Sequence, residues 1–529
     1  MSPTAGVVAL VLVSALTLAI GSFGLRMSRT TSDFYVASRS VGPGVNASAI
    51  GGEYLSAASF LGVAGLVLAK GGQMLWYPVG WTAGYLVLLI LVAAPLRRSG
   101  AYTLPDFAHL RLESLQVRRL ASLLVVLIGF YLIPQFQGAG ITLHTLTGCG
   151  RWVGAAVVAS VVLLNVMSGG MRSITLVQAF QYWLKLTALL IPLFVFLLVW
   201  QRDGDSGGRP LSTDSWLAPL SGDHALYATY SLILATFLGT MGLPHVVVRF
   251  YTNRDGRAAR RTTVVVLALL GCFYLLPPLY GVLGRTYAPD LVAAGRSDSV
   301  VLELPSRILD GAGASLLTGI LGAGAFAAFL STSSGLVVSI AGVVSQDLLS
   351  REGDGVRAFR MASALAVLVT LGLTFASTGI PVANAVELAF AVAASTFCPL
   401  LVLGIWWRRL TAPGAYAGLV VGGLAAGGAV VLTLFGVSAG GWWGVLLAQP
   451  AAWSVPLAFA TMIVVSMRTQ ARLPDNVTRT MVRLHTPESL DVDRGTYDPE
   501  RASRRDHEGD RSSYEATVRR SDVDRTTHA

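Results

Sequence analysis

Thirteen stretches of this 529-residue chain are each long and apolar enough to cross a lipid bilayer, and they limit the fold more than any other feature. A spanning helix needs about 20 apolar residues. Charged residues make up 13% of the chain, whereas soluble proteins carry about 25%. The short alternating segments of a membrane β-barrel are absent. We therefore predict an all-α integral membrane protein with about 13 transmembrane helices, at residues 5–25, 48–68, 72–95, 120–147, 152–170, 176–200, 225–248, 262–284, 313–346, 358–377, 382–406, 413–435 and 445–467.

The second of these stretches contains residues that a simple spanning helix would not carry at mid-membrane depth. Gly51 and Gly52 precede Glu53 in the middle of an apolar run. A charge inside a membrane costs several kcal/mol and usually faces a cavity or a partner, and paired glycines weaken a helix and free its backbone groups. These residues predict an interrupted helix that forms half of a solute and cation site. A small-residue face that packs against a neighbouring helix explains the same residues equally well.

The seventh stretch is also interrupted, since Gly239, Gly242 and Pro244 lie within it. Proline inside a helix removes a backbone hydrogen bond and clashes with the preceding turn. The second and seventh helices each begin a set of five, helices 2–6 and 7–11. Broken helices at matching positions of two halves indicate a transporter site near the bilayer midplane.

A cluster of hydroxyl side chains, residues 331–334, lies in the middle of the ninth stretch. Hydroxyl and carbonyl oxygens can replace the hydration shell of an alkali cation. A single hydroxyl in a membrane helix more commonly bonds to the preceding turn. Four consecutive hydroxyls opposite a broken helix favour an ion site.

The basic residues are distributed unequally between the loops. Alternate loops beginning with residues 26–47 hold 19 arginines, whereas the opposite loops hold 7 basic residues. Because basic loops face the cytoplasm, we predict a multi-pass protein of the cell (inner) membrane with its N-terminus outside and its C-terminus in the cytoplasm. The net charge of +10 then reflects topology, and no nucleic-acid partner is expected.

Neither an enzyme nor a bound cofactor is predicted. The three cysteines are widely separated, and the sequence shows no metal-spaced histidines, phosphate loop or activated nucleophile.

Residues 468–529 carry 12 basic and 12 acidic residues and few large apolar ones, which predicts a disordered cytoplasmic tail. A transporter-like membrane sensor that signals through this tail is an alternative, although the tail is too short for a kinase domain.

Six motifs resemble the sodium/solute symporter family, and in particular its cation–acetate or monocarboxylate branch. They are GEYLSAASFLGVAG (52–65), YTLPDFAHLRL (102–112), SGGMRSITLVQAFQ (168–181), GTMGLPHVVVRFYTNRDGRAARR (239–261), FLSTSSGLVVSIAGVVSQDL (329–348) and ELAFAVAASTFCPLLVLGIWW (387–407). The resemblance covers nearly everything before the tail. The branch assignment depends chiefly on the first and fourth motifs.

The resemblance implies the leucine-transporter-like 5+5 inverted repeat with extra helices at both ends. The expected division is a first helix and cytoplasmic loop (1–47), a first repeat (48–200), a second repeat (225–407), two further helices (408–467) and the tail (468–529). The resemblance also implies a sodium site made of the Gly52, Leu55 and Ala328 carbonyls with the Ser331 and Thr332 hydroxyls. Sugar-transporting members have an aspartate where this chain has Gln178, which makes a second ion step at that position doubtful.

The predicted activity is symport of a cation, sodium by resemblance, with a short-chain monocarboxylate such as acetate; another small solute such as proline is an alternative. No basic residue is expected near the midplane, because Lys185 is assigned to a helix end, where its side chain would reach the interface. The solute's carboxylate would then face half-helix amides. Candidate solute ligands, each also explicable as a helix–helix contact, are Tyr54, Ser56, Ser59, Tyr131, Gln135 and Thr240.

Two ionisable residues are candidates for proton coupling or gating. Glu53 is one, although a structural carboxylate paired with a donor explains it equally well. His245 follows the break at Pro244 and is more commonly structural in such a position.

Overall fold

The computed structural model describes residues 3–25, 41–204, 216–220, 224–347, 355–376, 382–434, 440–487, 490–491 and 496–497. Within these ranges the chain is almost entirely helical, and its long helices are numbered here by span. They are α1 (Pro3–Leu25), α2 (Pro43–Tyr54 and Ala58–Lys70), α3 (Gly72–Ser99), α4 (Leu115–Thr147), α5 and α6 (within Arg151–Gly204), α7 (Ala225–Thr252), α8 (Gly256–Tyr287), α9 (Gly311–Asp347), α10 (Gly355–Ala376), α11 (Val382–Trp406), α12 (Ala412–Leu434) and α13 (Ala451–Arg468).

The continuous run from Arg151 to Gly204 is two spans joined by a kink. It has 54 residues, and at 1.5 Å per residue it would extend about 80 Å, far more than a bilayer. The backbone leaves the helical region at Gly170, with φ 57° and ψ −156°. Residues 151–169 form α5 and residues 171–204 form α6. The described residues contain 11 helices that are long and apolar enough to cross a membrane, or 12 if the two bent halves of α2 count as one span; dividing this run at Gly170 gives 13, the predicted number.

Shorter elements connect the spans. The helix Leu104–Leu112 begins with two common N-terminal features: the Thr103 side chain accepts a hydrogen bond from the Asp106 amide at 3.2 Å, and Pro105 lies in the first turn. The other short helices are Asp290–Ala293, Val300–Ile308, Gly441–Ala448 and Val477–His485, and two two-residue strands, β1 (Leu490–Asp491) and β2 (Thr496–Tyr497), pair antiparallel.

Both predicted interruptions are present. The two halves of α2 meet at a 70° bend, and Leu55 between them has φ −75° and ψ 86°, outside the helical region. In α7 the break falls at Leu243, which is extended (φ −73°, ψ 118°) immediately before Pro244. Proline disfavours a helical residue before it, so the sequence explains the position of this second break.

The most buried span is α9, which packs against α1, α4, α6, α10 and the first half of α2. An 18-residue stretch of α9 is fully buried, compared with a third of the equivalent stretch of α1. Small residues permit this close packing: a Cβ at Gly324 would lie 2.5 Å from the Ala188 side chain of α6. The middle of α9 therefore lies inside the protein rather than against lipid.

Three predicted boundaries need correction. The first repeat was placed at 48–200, but α2 begins at Pro43, because Gly42 and Pro43 provide a helix start that hydropathy alone does not register. The fourth span begins at Leu115, capped by Ser114. The tail was predicted to be disordered from residue 468, but it continues as the helix Val477–His485, whose Leu484 is buried. Most of the remaining tail lies outside the described residues.

Candidate functional site

The break in α2 leaves backbone carbonyls without helical hydrogen bonds in the interior of the protein. Its first half ends where the Leu55 amide donates to the Gly51 carbonyl at 3.0 Å, and the second half restarts at Ala58. Helix α6 approaches this break closely because Gly52 has no side chain: a Cβ there would lie 2.1 Å from the Gln178 carbonyl oxygen. The carbonyls before the break have lost helical donors and are available to another partner.

The side chain of Lys185 lies at this break, which corrects its assignment to a helix end. It is 0% exposed. Its Nζ donates to the Leu55 carbonyl at 2.7 Å, to the Ser331 hydroxyl at 2.9 Å, and to the Gly52 carbonyl. Gln178, Tyr182 and Lys185 follow one face of α6 at helical spacing, so the packing of that face on α2 carries the ammonium to the middle of the protein.

The remaining predicted cation ligands surround the same point. The Ser331 hydroxyl donates to the Ala328 carbonyl at 3.1 Å, and the Thr332 hydroxyl donates to the Glu53 carbonyl at 2.6 Å. The structure thus brings the five predicted residues together between α2 and α9, with the Lys185 ammonium among them.

Glu53 forms a buried ion pair with Arg249. Nε of Arg249 lies 2.5 Å from Oε2 of Glu53, and the two side chains are 1% and 2% exposed. Arg249 also donates to Thr175 at 2.8 Å and to Gln178, whose amide nitrogen donates to the Ser331 carbonyl at 2.7 Å. The expectation that no basic residue lies in this region is therefore wrong twice, for Lys185 and for Arg249.

The predicted solute ligands form one cluster on the other side of the break. The Tyr54 and Thr240 hydroxyls lie 2.7 Å apart, which joins α2 to α7. The Gln135 side-chain oxygen accepts from the Ala57 amide at 3.1 Å. The other three residues lie in the same region: Ser59 bonds the Tyr274 hydroxyl at 2.9 Å, and the buried Ser56 lies in the break beside the side chain of Tyr131.

Four aromatic residues that the sequence analysis did not select complete this cluster: Trp81, Tyr85, Tyr274 and Phe390. The Phe390 ring centre lies 5.9 Å from that of Trp81, 6.3 Å from that of Tyr54 and 6.4 Å from that of Tyr131. The Tyr85 ring meets Tyr54 edge-on at 4.9 Å. In the sequence, Trp81 and Tyr85 lie four residues apart beside Gly80 and Gly84, a pattern that places an aromatic face next to a small-residue contact face of α3.

Several polar atoms of this cluster have no hydrogen-bond partner within the part of the chain that the structure describes. They include Nε2 of Gln135, Nε1 of Trp81, the hydroxyl of Tyr85 and Nδ1 of His245. Buried polar groups are normally satisfied, so this concentration makes the cluster a candidate position for a polar ligand. His245 itself is 1% exposed, and its ring centre lies 5.6 Å from that of Tyr131.

A cavity of about 130 Å³ opens at the end of the bundle where α2 ends and α3 begins. Its lining includes Lys70, Tyr77, Glu387 and Gln449, and the Tyr77 hydroxyl donates to Glu387. Tyr77 packs edge-on against Trp81 at 5.4 Å. The cavity therefore ends one aromatic ring away from the solute cluster.

Comparison of the sequence with known proteins agrees with the family resemblance of the six motifs. A family model described as "Sodium:solute symporter family" matches residues 34–422. The chain is 33% identical over 441 residues to the uncharacterized symporter YwcA of Bacillus subtilis, an alignment that covers 80% of this chain and 85% of the relative.

Solved structures with little sequence similarity share the fold. A substrate-bound, outward-open sodium-coupled sialic acid symporter superposes with a TM-score of 0.64 at 14% identity, covering 87% of this chain and 98% of that one. MHP1, a nucleobase-cation-symport-1 family transporter in a closed conformation, gives 0.52 at 14% identity, covering 86% and 99%. The leucine-transporter-like arrangement expected from the motifs is thereby confirmed.

Proposed function

The chain belongs to the sodium:solute symporter family, and on that premise we propose that it couples inward movement of a cation to uptake of a short-chain monocarboxylate such as acetate. Membership supports symport, with sodium as the family's coupling ion, in a multi-pass membrane protein. The choice of solute is our own inference. The observation that carries it is the set of unpartnered donors beside the break in α2.

Those donors suit a small carboxylate. Nε2 of Gln135, Nε1 of Trp81 and the Tyr85 hydroxyl can all donate, and the indole nitrogen cannot accept. Hydrogen bonds to an ionised acceptor are about twice as strong as neutral ones. The surrounding rings of Tyr54, Tyr131 and Phe390 leave an apolar boundary for a short alkyl group.

A zwitterion such as proline is less well served by these residues. It would need an acceptor for its ammonium group. Two buried carboxylate oxygens of the described residues have no hydrogen-bond partner: Oε1 of Glu387, whose side chain accepts from Tyr77 at the cavity, and Oε1 of Glu53. The latter atom lies against α9, since a Cβ on Gly335 would be 2.0 Å from it. The donors of the solute cluster face α2 from α3 and α4, on the other side of the break.

The proposed orientation has the N-terminus outside and the C-terminus in the cytoplasm, which follows from the arginine distribution. In this orientation the 130 Å³ cavity near Lys70 and Glu387 opens to the outside. Solute would enter there and pass Tyr77 and Trp81 to reach the break. Because cation and solute favour the same conformation, each would tighten binding of the other.

Uptake into proteoliposomes tests this function. Labelled acetate, pyruvate and proline are supplied separately, with an inward sodium gradient or an inward proton gradient imposed one at a time. We expect acetate to accumulate above its external concentration under at least one gradient, and pyruvate to compete with it. Saturable accumulation of proline alone would contradict the proposed solute class, and accumulation of none of the three would contradict the proposed function.

A further inference from the structure

The ammonium group of Lys185 has a complete set of partners at the break in α2. A lysine ammonium has three N–H donors and no acceptor. Its three acceptors are the carbonyls of Gly52 and Leu55 and the hydroxyl of Ser331. Two elements that are not adjacent in sequence, α2 and α9, thus supply the oxygens for a cation carried by a third, α6.

We propose that the Lys185 ammonium is the resident cation of this position, so that no sodium ion binds between Gly52, Leu55 and Ser331 while the lysine is in place. This inference deepens the proposed symport and rests on it: sodium that drives transport would bind at another position of the protein.

Two of the five predicted ligands, Ala328 and Thr332, remain for a sodium ion beside the ammonium. The Ala328 carbonyl accepts a hydrogen bond from Ser331 at 3.1 Å, and the Thr332 hydroxyl donates a hydrogen bond to the Glu53 carbonyl at 2.6 Å. An alkali cation in such a site needs about five or six oxygens. Three of the five predicted ligands are already held by a full positive charge, and a second cation at contact distance would be repelled by it.

The charges around Lys185 leave its ammonium to the oxygens of the break. Glu53, the ionisable group that interacts with Lys185, is already engaged with Arg249 in the buried ion pair. The neighbouring helix α9 contributes hydroxyls and carbonyls, and its only ionisable residue, Asp347, lies at its far end. The carbonyl dipoles of the break therefore stabilise the ammonium directly.

Lysine, rather than the more frequent arginine, suits this position. The chain has 39 basic residues, of which only Lys70 and Lys185 are lysines. An ammonium is a compact point charge on a flexible stem, whereas a guanidinium is a planar fork. The three oxygens of Gly52, Leu55 and Ser331 converge on one point, and a compact ammonium fits such a point better than a planar guanidinium does.

Binding of radioactive sodium to the purified full-length protein, in the absence of solute, tests the inference. Wild type is compared with Ser331→Ala. Loss of a direct ligand to a charged group weakens binding by about ten-fold or more. We expect either no saturable sodium binding to wild type, or binding whose affinity Ser331→Ala changes by less than about three-fold. A larger loss of affinity would overturn the proposal.

A second variant tests the proposal by changing the lysine instead of one of its oxygen partners. Lys185→Ala removes the ammonium and leaves the carbonyls of Gly52 and Leu55 without a donor. We expect it to bind an additional sodium ion that disappears when Ser331→Ala is added, whereas the control Arg119→Ala, at an exposed position of α4, binds sodium as wild type does. A folded Lys185→Ala variant that gains no sodium would count against the proposal.

The outcome is independent of the uptake measurement. If proteoliposomes accumulate no monocarboxylate but Ser331→Ala leaves sodium binding unchanged, the proposed function fails and the assignment of Lys185 stands. If acetate accumulates but Ser331→Ala abolishes sodium binding, the function stands and the assignment fails.

Discussion

The guanidinium of Arg249 lies 2.5 Å from the carboxylate of Glu53, and this ion pair joins the two interrupted helices of the protein. Glu53 belongs to the last turn of the first half of α2, and Arg249 follows the break in α7. Both side chains are buried beside α6 and α9. The pair therefore holds together the two elements whose breaks form the candidate site.

Breaking this pair from one side is expected to destabilise the protein strongly. Glu53→Gln leaves the Arg249 charge buried without its carboxylate, and such a change costs about 3–5 kcal/mol. Thermal unfolding in detergent would show the loss. We also expect the pH profile of the remaining uptake to match that of wild type, since a carboxylate engaged with Arg249 serves a structural role. A changed profile in Glu53→Gln would instead assign proton coupling to this residue.

The exposed pair between Arg307 and Asp290 provides the control. Its atoms lie 2.8 Å apart, but the side chains are 37% and 55% exposed. Surface ion pairs contribute about 0–1 kcal/mol, so Arg307→Ala should unfold close to the wild-type temperature. Equal destabilisation by the two variants would show that the buried Glu53–Arg249 pair contributes no more to stability than the exposed pair does.

Gly52→Ala should disrupt the site, because the added Cβ would lie 2.1 Å from the Gln178 carbonyl oxygen. Helix α6 would have to move away from α2, and Lys185 with it. The matched control is Gly44→Ala in the same half-helix, where a Cβ would meet nothing within 4 Å. Uptake should fall by about ten-fold or more in Gly52→Ala, as expected for overpacking of 1–3 kcal/mol, and stay at the wild-type rate in Gly44→Ala. Wild-type uptake by Gly52→Ala would refute the close contact of α6 with the break.

The membrane orientation can be tested through a native thiol. Cys149 is exposed in the turn between α4 and α5, on the outer side in the proposed orientation. A membrane-impermeant maleimide should label it in intact cells, and Cys149→Ser should remove that labelling. Cys272 lies within the span α8, so the reagent should reach it poorly. Labelling of Cys149 only after the cells are opened would reverse the orientation.

Trp81→Phe keeps an aromatic ring in place and removes one free donor of the solute cluster. The backbone contact of Trp81 with the Tyr54 hydroxyl, at 3.4 Å, is unaffected by the change. Since a hydrogen bond to a charged group contributes about 1.5–3 kcal/mol, the KM for acetate should rise about ten-fold or more while the folded fraction stays constant. An unchanged KM would remove Trp81 from the set of solute ligands.

The sequence was sufficient for the features that depend on local chemistry. Glycine pairs and proline determine where a helix loses its hydrogen bonds, so the breaks at Leu55 and Leu243 were predictable from Gly51, Gly52 and Pro244. Hydropathy determines which segments span the membrane. The motifs then identified the convergence of Gly52, Leu55 and Ser331.

The surroundings of Lys185 and Arg249 could not be predicted in the same way, because they depend on how helices pack. Lys185 belongs to a 34-residue span, residues 171–204, and its depth depends on where that span sits relative to α2. Arg249 directly follows the seventh predicted span, 225–248, and was one of the 19 arginines assigned to loops. In both cases the partner lies on another helix: 130 residues away for Lys185 and Leu55, and 196 for Arg249 and Glu53.

One measurement addresses the solute site at the break most directly: the KM for acetate uptake in proteoliposomes of Gln135→Glu. Glutamate keeps an oxygen to accept the Ala57 amide, now 3.1 Å from Gln135, but replaces the free amide donor with a second oxygen that repels a carboxylate. The control is Gln181→Glu, the same change at a buried amide that contacts Thr17 of α1. The account predicts that the KM rises about ten-fold or more in Gln135→Glu alone. Equal KM values for Gln135→Glu and wild type would contradict it.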